Sequence, residues 1–443
     1  MEHDTSKAGR RSIRLSPARR GLVAQLFSLG VIVAIQALQI PIFIGSLGTT
    51  KYGSYLVLIA IPMSLTLADF GLLSATSTRL IGLLANQRHA EATVLTRFTN
   101  SFIMIVTSVI LLIVVGVTYS IDVSQPQIGP EESRAIVVLY SLYAVFFVYS
   151  SSLEAVMRSA GAYSEGWTRL SVMRLADFIA CALALVWTGS LVVSILAMLV
   201  FRLIGMATLG LRVRSVAPWA SWRPILPRRR MARGLFKPTV GSIALPLGNA
   251  FVNQGVVLAV NAAFGPVAVV VLSSVRTMIN VLRQLTGAIT NSTLPSLTHM
   301  LSQGDTRGAR RLIKRSAVLV GATLVLGGLG LVVLGPWILE IWTNGKVSAP
   351  PGLIGAFIFQ SLLESAWLVT ALWFVAQNRH FGYSIVFLFS SVTTIILLML
   401  MQPASLVSVA LMLATSSGVV LIWVVVAYMK ETRDERSKLA IQA

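Results

Sequence analysis

The stretch 266–298 reads PVAVVVLSSVRTMINVLRQLTGAITNSTLPSLT, apolar enough to cross a bilayer yet charged where charge is costly. Arg276 and Arg283 stand seven residues apart, which puts them on one helix face. Asn280 and Gln284 continue that face, with Gly287 and Asn291 below them. A cation near the bilayer centre costs about 2.5–3.5 kcal/mol on insertion scales, so a helix with two of them turns that side toward protein or water. Two arrangements fit. The stripe can line a polar cavity that receives an anion, or each arginine can pair with a carboxylate on a neighbouring helix, and the two are compatible. For an anion the guanidinium is well suited, because its planar fork meets two oxygens of a diphosphate at once.

Further polar groups are embedded in apolar runs. At 1.5 Å per residue, Arg276 lies roughly 15 Å from the outer end of its helix and Arg283 about 10 Å deeper. Arg174 and Arg202 each lie about 12 Å inside the fifth and sixth runs. Arg174 has Asp177 at i+3, so an intrahelical pair competes with a cavity role. Arg202 and the shallower Arg169 can snorkel instead. Arg276, Arg283, Arg174 and Arg202 are therefore the candidate diphosphate ligands. The amides Gln36 and Gln39, Asn249 and Asn253, with Asn280 and Gln284, suit hydrogen bonds between helices or sugar hydroxyls. Asp69, Glu154, Asp177 and Glu364 are the candidates for ion or proton coupling, and Asp69 alternatively pairs with Arg79.

Nothing in the spacing suggests catalysis. There is no Walker A motif, no nucleophile elbow and no paired carboxylate on a loop. Cys181 is alone, and the four histidines are scattered. The chain reads as a non-enzyme with no catalytic residue, metal or cofactor.

The elements that hold these groups follow from composition. Of 443 residues, 55% are hydrophobic and 12% charged, with mean hydropathy +0.79. A soluble domain carries about 25% charged residues. Apolar runs of about 20 residues without strand alternation indicate an all-α integral membrane protein. Twelve spans are expected: 21–46, 52–75, 98–119, 135–157, 166–187, 190–211, 237–263, 266–294, 316–336, 351–376, 381–402 and 405–429. With the N-terminus inside, 28 of the 36 Lys and Arg residues face the cytoplasm and 3 (Lys51, Arg134, Lys346) face out. That asymmetry places both termini in the cytoplasm. The net charge of +20 then points to anionic inner-leaflet lipids rather than nucleic acid.

The organisation is a basic tail (1–20), a six-helix bundle (21–211), a basic linker (212–236), a second six-helix bundle (237–429) and a charged tail (430–443). The bundles look like repeats at an offset of 217 residues. Gly48 falls on Gly265, Leu84 on Leu301, Ala92 on Ala309, Leu95 on Leu312 and Arg97 on Lys314. An even number of spans per repeat gives two parallel repeats about an axis along the membrane normal, with a central cavity between them.

Three motifs carry a resemblance. They are GSLGTTKYGSY at 45–55, LADFGL at 67–72 followed by Arg79, and LPSLTHMLSQGDTRGARRL at 294–312. Together they resemble the Wzx-type flippases of lipid-linked O-antigen and exopolysaccharide units, in the polysaccharide-transporter branch of the MOP superfamily. One departure is Thr298, where the family has a serine. Over most of the chain the resemblance implies a MATE-like/MOP fold and alternating access. It also implies transfer of a polyprenyl-diphosphate-linked oligosaccharide from the inner to the outer leaflet of the bacterial cytoplasmic membrane, for surface polysaccharide biosynthesis. The tails are then candidates for contact with polymerase or ligase machinery. Locally, Gly48, Tyr52 and Gly53 suit a tight outer turn with an interfacial aromatic, Pro295 is expected to end the eighth helix, and 304–312 to start an amphipathic cytoplasmic piece.

Two other functions compete. A MATE-type exporter of drugs or metabolites would favour a carboxylate-lined cavity for its cations. A membrane glycosyltransferase or ligase would need catalytic groups on an outer loop, where only Asp122, Glu131, Glu132 and Glu340 stand.

Overall fold

The structure is a computed structural model that describes residues 17–66, 72–223, 225, 243–377, 379 and 381–442. Among these residues every named element is helical. α1 (Pro17–Leu65) bends at Gly48, where φ is 76° and ψ 171°. A side chain there would strain the backbone, so the turn calls for glycine. The bend reverses the chain. The rings of Phe43 and Tyr55 have centroids 5.5 Å apart, whereas a straight helix would separate these residues by about 18 Å. The two arms of α1 are therefore antiparallel crossings.

The first half continues through α2 (Leu72–Ala85), α3 (His89–Ser120), α4 (Pro130–Ser159), α5 (Tyr163–Thr188) and α6 (Leu191–Val216). The second half opens with α7 (Ile243–Phe264). It continues through α8 (Pro266–Ser302), α9 (Thr306–Trp342), α10 (Leu353–Ala376), α11 (Phe381–Met401) and α12 (Leu406–Gln442). Eleven of these helices are long and apolar enough to span a membrane. Since α1 supplies two arms, they make twelve crossings, as the hydropathy pattern predicts.

Several boundaries differ from the expected spans. Pro295 does not end α8, which runs on to Ser302. A proline removes one backbone donor, and a packed membrane helix absorbs that loss. The piece at 304–312 opens the long helix α9. Asp305 caps α9 by accepting from the Gly308 amide at 2.8 Å, and the helix continues unbroken. Tyr52 is not interfacial but buried between Phe43 and Tyr55. The motif around Asp69 lies outside the described residues, as does most of the linker after 225.

Among the described residues the halves share an apolar core at one end. A single apolar core joins them near the turns at Gly48 and Gly265, running from Phe43 and Tyr52 through Val269 and Val275 to Leu339 and Leu353. Toward the opposite end the cores separate, one belonging to the second half and three to the first. The substantial contacts between halves all run through α1, which packs on α7 and α8. The end that carries Gly48 and Gly265 is thus closed, and the halves diverge toward the other.

Candidate functional site: a polar cavity between the halves

The stripe on α8 faces α1, α7 and α10, because one side of that helix is polar over several turns and cannot face lipid without cost. Arg276 meets α7 at an irregularity. Residues Phe251–Gly255 form a π turn, an irregularity frequent at functional sites. Arg276 bonds to this turn. Its Nη1 donates to the Asn253 carbonyl at 3.3 Å, and its Nη2 to the Val252 carbonyl at 3.4 Å and to Asn253 Oδ1 at 2.6 Å. Asn253 in turn donates to the Asn249 carbonyl at 2.8 Å. Arg276 is held by neutral acceptors rather than by a carboxylate.

Arg283, two turns on, forms an ion pair with Glu364 of α10 through Nη2. The other Glu364 oxygen accepts from Gln360 at 2.7 Å. The Arg283 side chain is 31% exposed and Glu364 only 8%, so the carboxylate sits behind the guanidinium. Among the described residues Glu364 is the one hydrogen-bond partner of the Arg283 guanidinium. Its Nε and Nη1 remain open to an oxyanion.

Beside this pair is a cavity of about 430 Å³ whose walls include Gln36, Asn253, Asn280, Arg283, Gln284, Thr286 and Thr290. That volume falls in the range of roughly 300–1,000 Å³ typical of small-ligand sites. Gln284 donates to Gln36 Oε1 at 2.9 Å across the two halves, and Gln284 Oε1 is buried without a partner. Among the described residues Arg283 is the one charged residue on the cavity wall. The expected stripe and the expected carboxylate pairing are therefore both present, and at Arg283 they coincide.

The other candidates lie elsewhere. Arg202 is fully buried in the first half, ion-paired to Asp177. Tyr143 accepts from Arg202 at 2.9 Å and donates to Asp177 at 3.2 Å. The Arg202 guanidinium stacks over Tyr143 and Phe147 at 5.1 and 5.0 Å. It neither snorkels nor reaches the cavity wall, because Asp177 offers a nearer counter-charge. Arg174 does not take Asp177 as its partner. It lies over Phe147 at 5.5 Å, with Nε buried and unbonded. Glu154 pairs with Arg158 at 3.6 Å one turn away. Gln39 and Asn249 are half-buried and lie off the cavity wall. The outer acids are engaged or exposed. Glu132 meets Lys51 at 3.5 Å and Glu131 meets Arg134 at 2.8 Å. The amide and hydroxyl of Ser124 hold the Asp122 carboxyl below its usual range, and Glu340 is exposed. Sequence reasoning missed Gln360, Ser365, Thr286 and Thr290. Gln360 had a signal, standing four residues before Glu364 in an apolar run.

No family model matches the chain, and no curated protein does. Solved structures do. An inward-facing multidrug resistance MATE family transporter of the MOP superfamily matches with TM-score 0.69 at 12% identity, over 94% of this chain and 99% of that one. An outward-facing structure of such a transporter gives TM-score 0.60 at 12% identity, over 97% and 100%. A MOP superfamily transporter from Pyrococcus furiosus, in which reverse polarity of the binding pocket suggests a different function, gives TM-score 0.59 at 10% identity, over 96% and 99%. At full coverage of both chains, what these matches share with the present structure is its architecture: this multi-pass membrane protein has the fold of the MOP superfamily transporters.

Proposed function

We propose that this protein flips an anionic lipid-linked glycan, a polyprenyl-diphosphate-linked oligosaccharide, from the inner to the outer leaflet by alternating access. The observation that carries the reading is the cavity wall. Among the described residues its one charged group is the Arg283 guanidinium, with two nitrogens unbonded, and amides and hydroxyls line the same wall. A diphosphate needs such a fork, and sugar hydroxyls need such amides. Arg276 stands behind Asn253 as a second positive charge two turns away. The lysine and arginine asymmetry of the loops orients the diverging end of the halves toward the cytoplasm, where such lipids are assembled.

A second reading is a MATE-like exporter of organic cations. Glu364 favours it, since its release from Arg283 would put a carboxylate at the cavity, and solved structures of MATE transporters share the fold. Deleting the gene separates the two. Under the flippase reading, complete polyprenyl-linked units accumulate on the cytoplasmic leaflet, by mass spectrometry with a leaflet assay. Wild type clears them and Arg276→Ala/Arg283→Ala does not. No accumulation, in a strain with glycan synthesis intact and no second flippase, supports the exporter.

A further inference from the structure

A second cavity of about 430 Å³ adjoins the polar one and differs from it in chemistry. Its walls are Val33 and Ala37 of α1, Met278 and Val281 of α8, and Trp337 and Ile341 of α9. Trp337 is 60% and Ile341 58% exposed. On helices that cross a bilayer, that exposure is to lipid, so this groove opens sideways. Trp342 donates to the Ala37 carbonyl at 2.6 Å and ties α9 to α1 at its edge. Gln36 belongs to both cavities. Its amide is bonded to Gln284 of the polar wall, so this pair is the partition between an apolar groove and a cationic, amide-lined cavity.

We infer that the groove holds the first part of the hydrocarbon chain of the lipid whose anionic head group occupies the polar cavity. This rests on the flippase reading and names how the tail is handled. A molecule that fills both spaces must be polar at one end and apolar at the other, with the junction at Gln36. A water-soluble cation fills only one of them. The groove adds little affinity, because lipid tails are as apolar as these side chains and burial there gains nothing over the bilayer. Its role is orientation. It fixes the head group beside Arg283 and leaves the rest of the chain in lipid, with the tail entering between α1 and α9. The Gln36–Gln284 hydrogen bond joins two neutral amides, so head-group hydroxyls can replace it at small cost.

The test uses the full-length protein in phospholipid vesicles, with a polyprenyl diphosphate carrying a diazirine in its first isoprene units. Cross-links are mapped by mass spectrometry and translocation is followed in parallel. The expected result is labelling of α8 near Met278–Val281 and of α9 near Trp337–Ile341. Unlabelled polyprenyl diphosphate competes it away, and filling the groove by Ala37→Trp, or by Val281→Trp should the first variant not fold, abolishes it. Three results overturn the inference. Equal groove labelling by a diazirine phospholipid, without competition, means that bulk lipid fills the groove. Translocation with labelling outside the groove removes the groove and leaves the flippase standing. Neither translocation nor labelling by the wild-type protein overturns both.

Discussion

Gly48 and Gly265, 217 residues apart, adopt the same backbone conformation, with φ 76° and ψ 171° at the first and φ 80° and ψ 178° at the second. Each turns the chain between the first two crossings of its half. The correspondence extends inward. Thr76 meets Thr99 at 3.1 Å, and at the same offset Thr293 meets Ser316 at 2.9 Å. α3 begins at His89 and α9 at Thr306, again at that offset. Gly48→Ala and Gly265→Ala should each lose about 1–3 kcal/mol from backbone strain, since neither position has a neighbour for the new methyl to strike. Thermal unfolding in detergent checks this. Unchanged stability in both variants would mean that the turns are not strained.

Gly53 touches the other half directly, and a Cβ there would overlap the Pro266 carbonyl. Gly53→Val is expected to force the Gly48–Gly265 end apart by about 1 Å or more. With Cys181→Ser, the one native cysteine is gone, and a reporter cysteine at Gln125 or Asn261, which face each other at 3.5 Å, should then react faster with maleimide. Unchanged labelling would contradict the closed end.

The buried Arg202–Asp177 pair is assigned to stability rather than to substrate. Arg202→Ala leaves a buried carboxylate and should cost about 3–5 kcal/mol, while Arg202→Met/Asp177→Leu should recover most of the loss. Translocation by the folded double variant should approach wild type. A double variant that folds well and transports nothing would return Arg202 to the mechanism.

The architecture was legible in the sequence because each crossing carries its own apolar run, and because the repeat is marked by glycines that a positive φ requires. The polar stripe was legible too, since Arg276, Asn280, Arg283 and Gln284 mark one helix face without any partner. What each arginine bonds was not. Asp177 lies three residues from Arg174 yet pairs with Arg202 on another helix, and the acceptors of Arg276 are the Asn253 side chain and two carbonyls within a π turn. Neither leaves a trace in spacing. Helix ends were misjudged wherever polar residues continue a helix beyond the apolar run, as in the first turns of α3 and α9. The groove beside Gln36 was invisible because its walls join α1 of the first half to α8 and α9 of the second.

At the cavity, Arg283 and Glu364 should respond differently. Arg283→Ala removes the free guanidinium nitrogens and should lower transport at least tenfold, a loss of about 1.4 kcal/mol in recognition. Glu364→Gln keeps a hydrogen-bonding group beside Arg283 and frees its charge, so it should retain or strengthen binding of a polyprenyl diphosphate. Binding by the purified variants, read from quenching of tryptophan fluorescence, checks both. Weaker binding by Glu364→Gln than by Arg283→Ala would assign recognition to the carboxylate.

The central claim is that this cavity carries an anionic lipid head group, and the direct measurement is translocation by the purified protein in vesicles. A polyprenyl-diphosphate-linked glycan is placed in one leaflet, and its arrival in the other is read by an enzyme that cannot cross. The account predicts arrival with wild type, and arrival no faster than in protein-free vesicles with Arg276→Ala/Arg283→Ala of equal folded content. An organic cation should neither move nor compete. Transport of that cation by the wild-type protein, with the glycan lipid left in place, would contradict the account and establish the exporter.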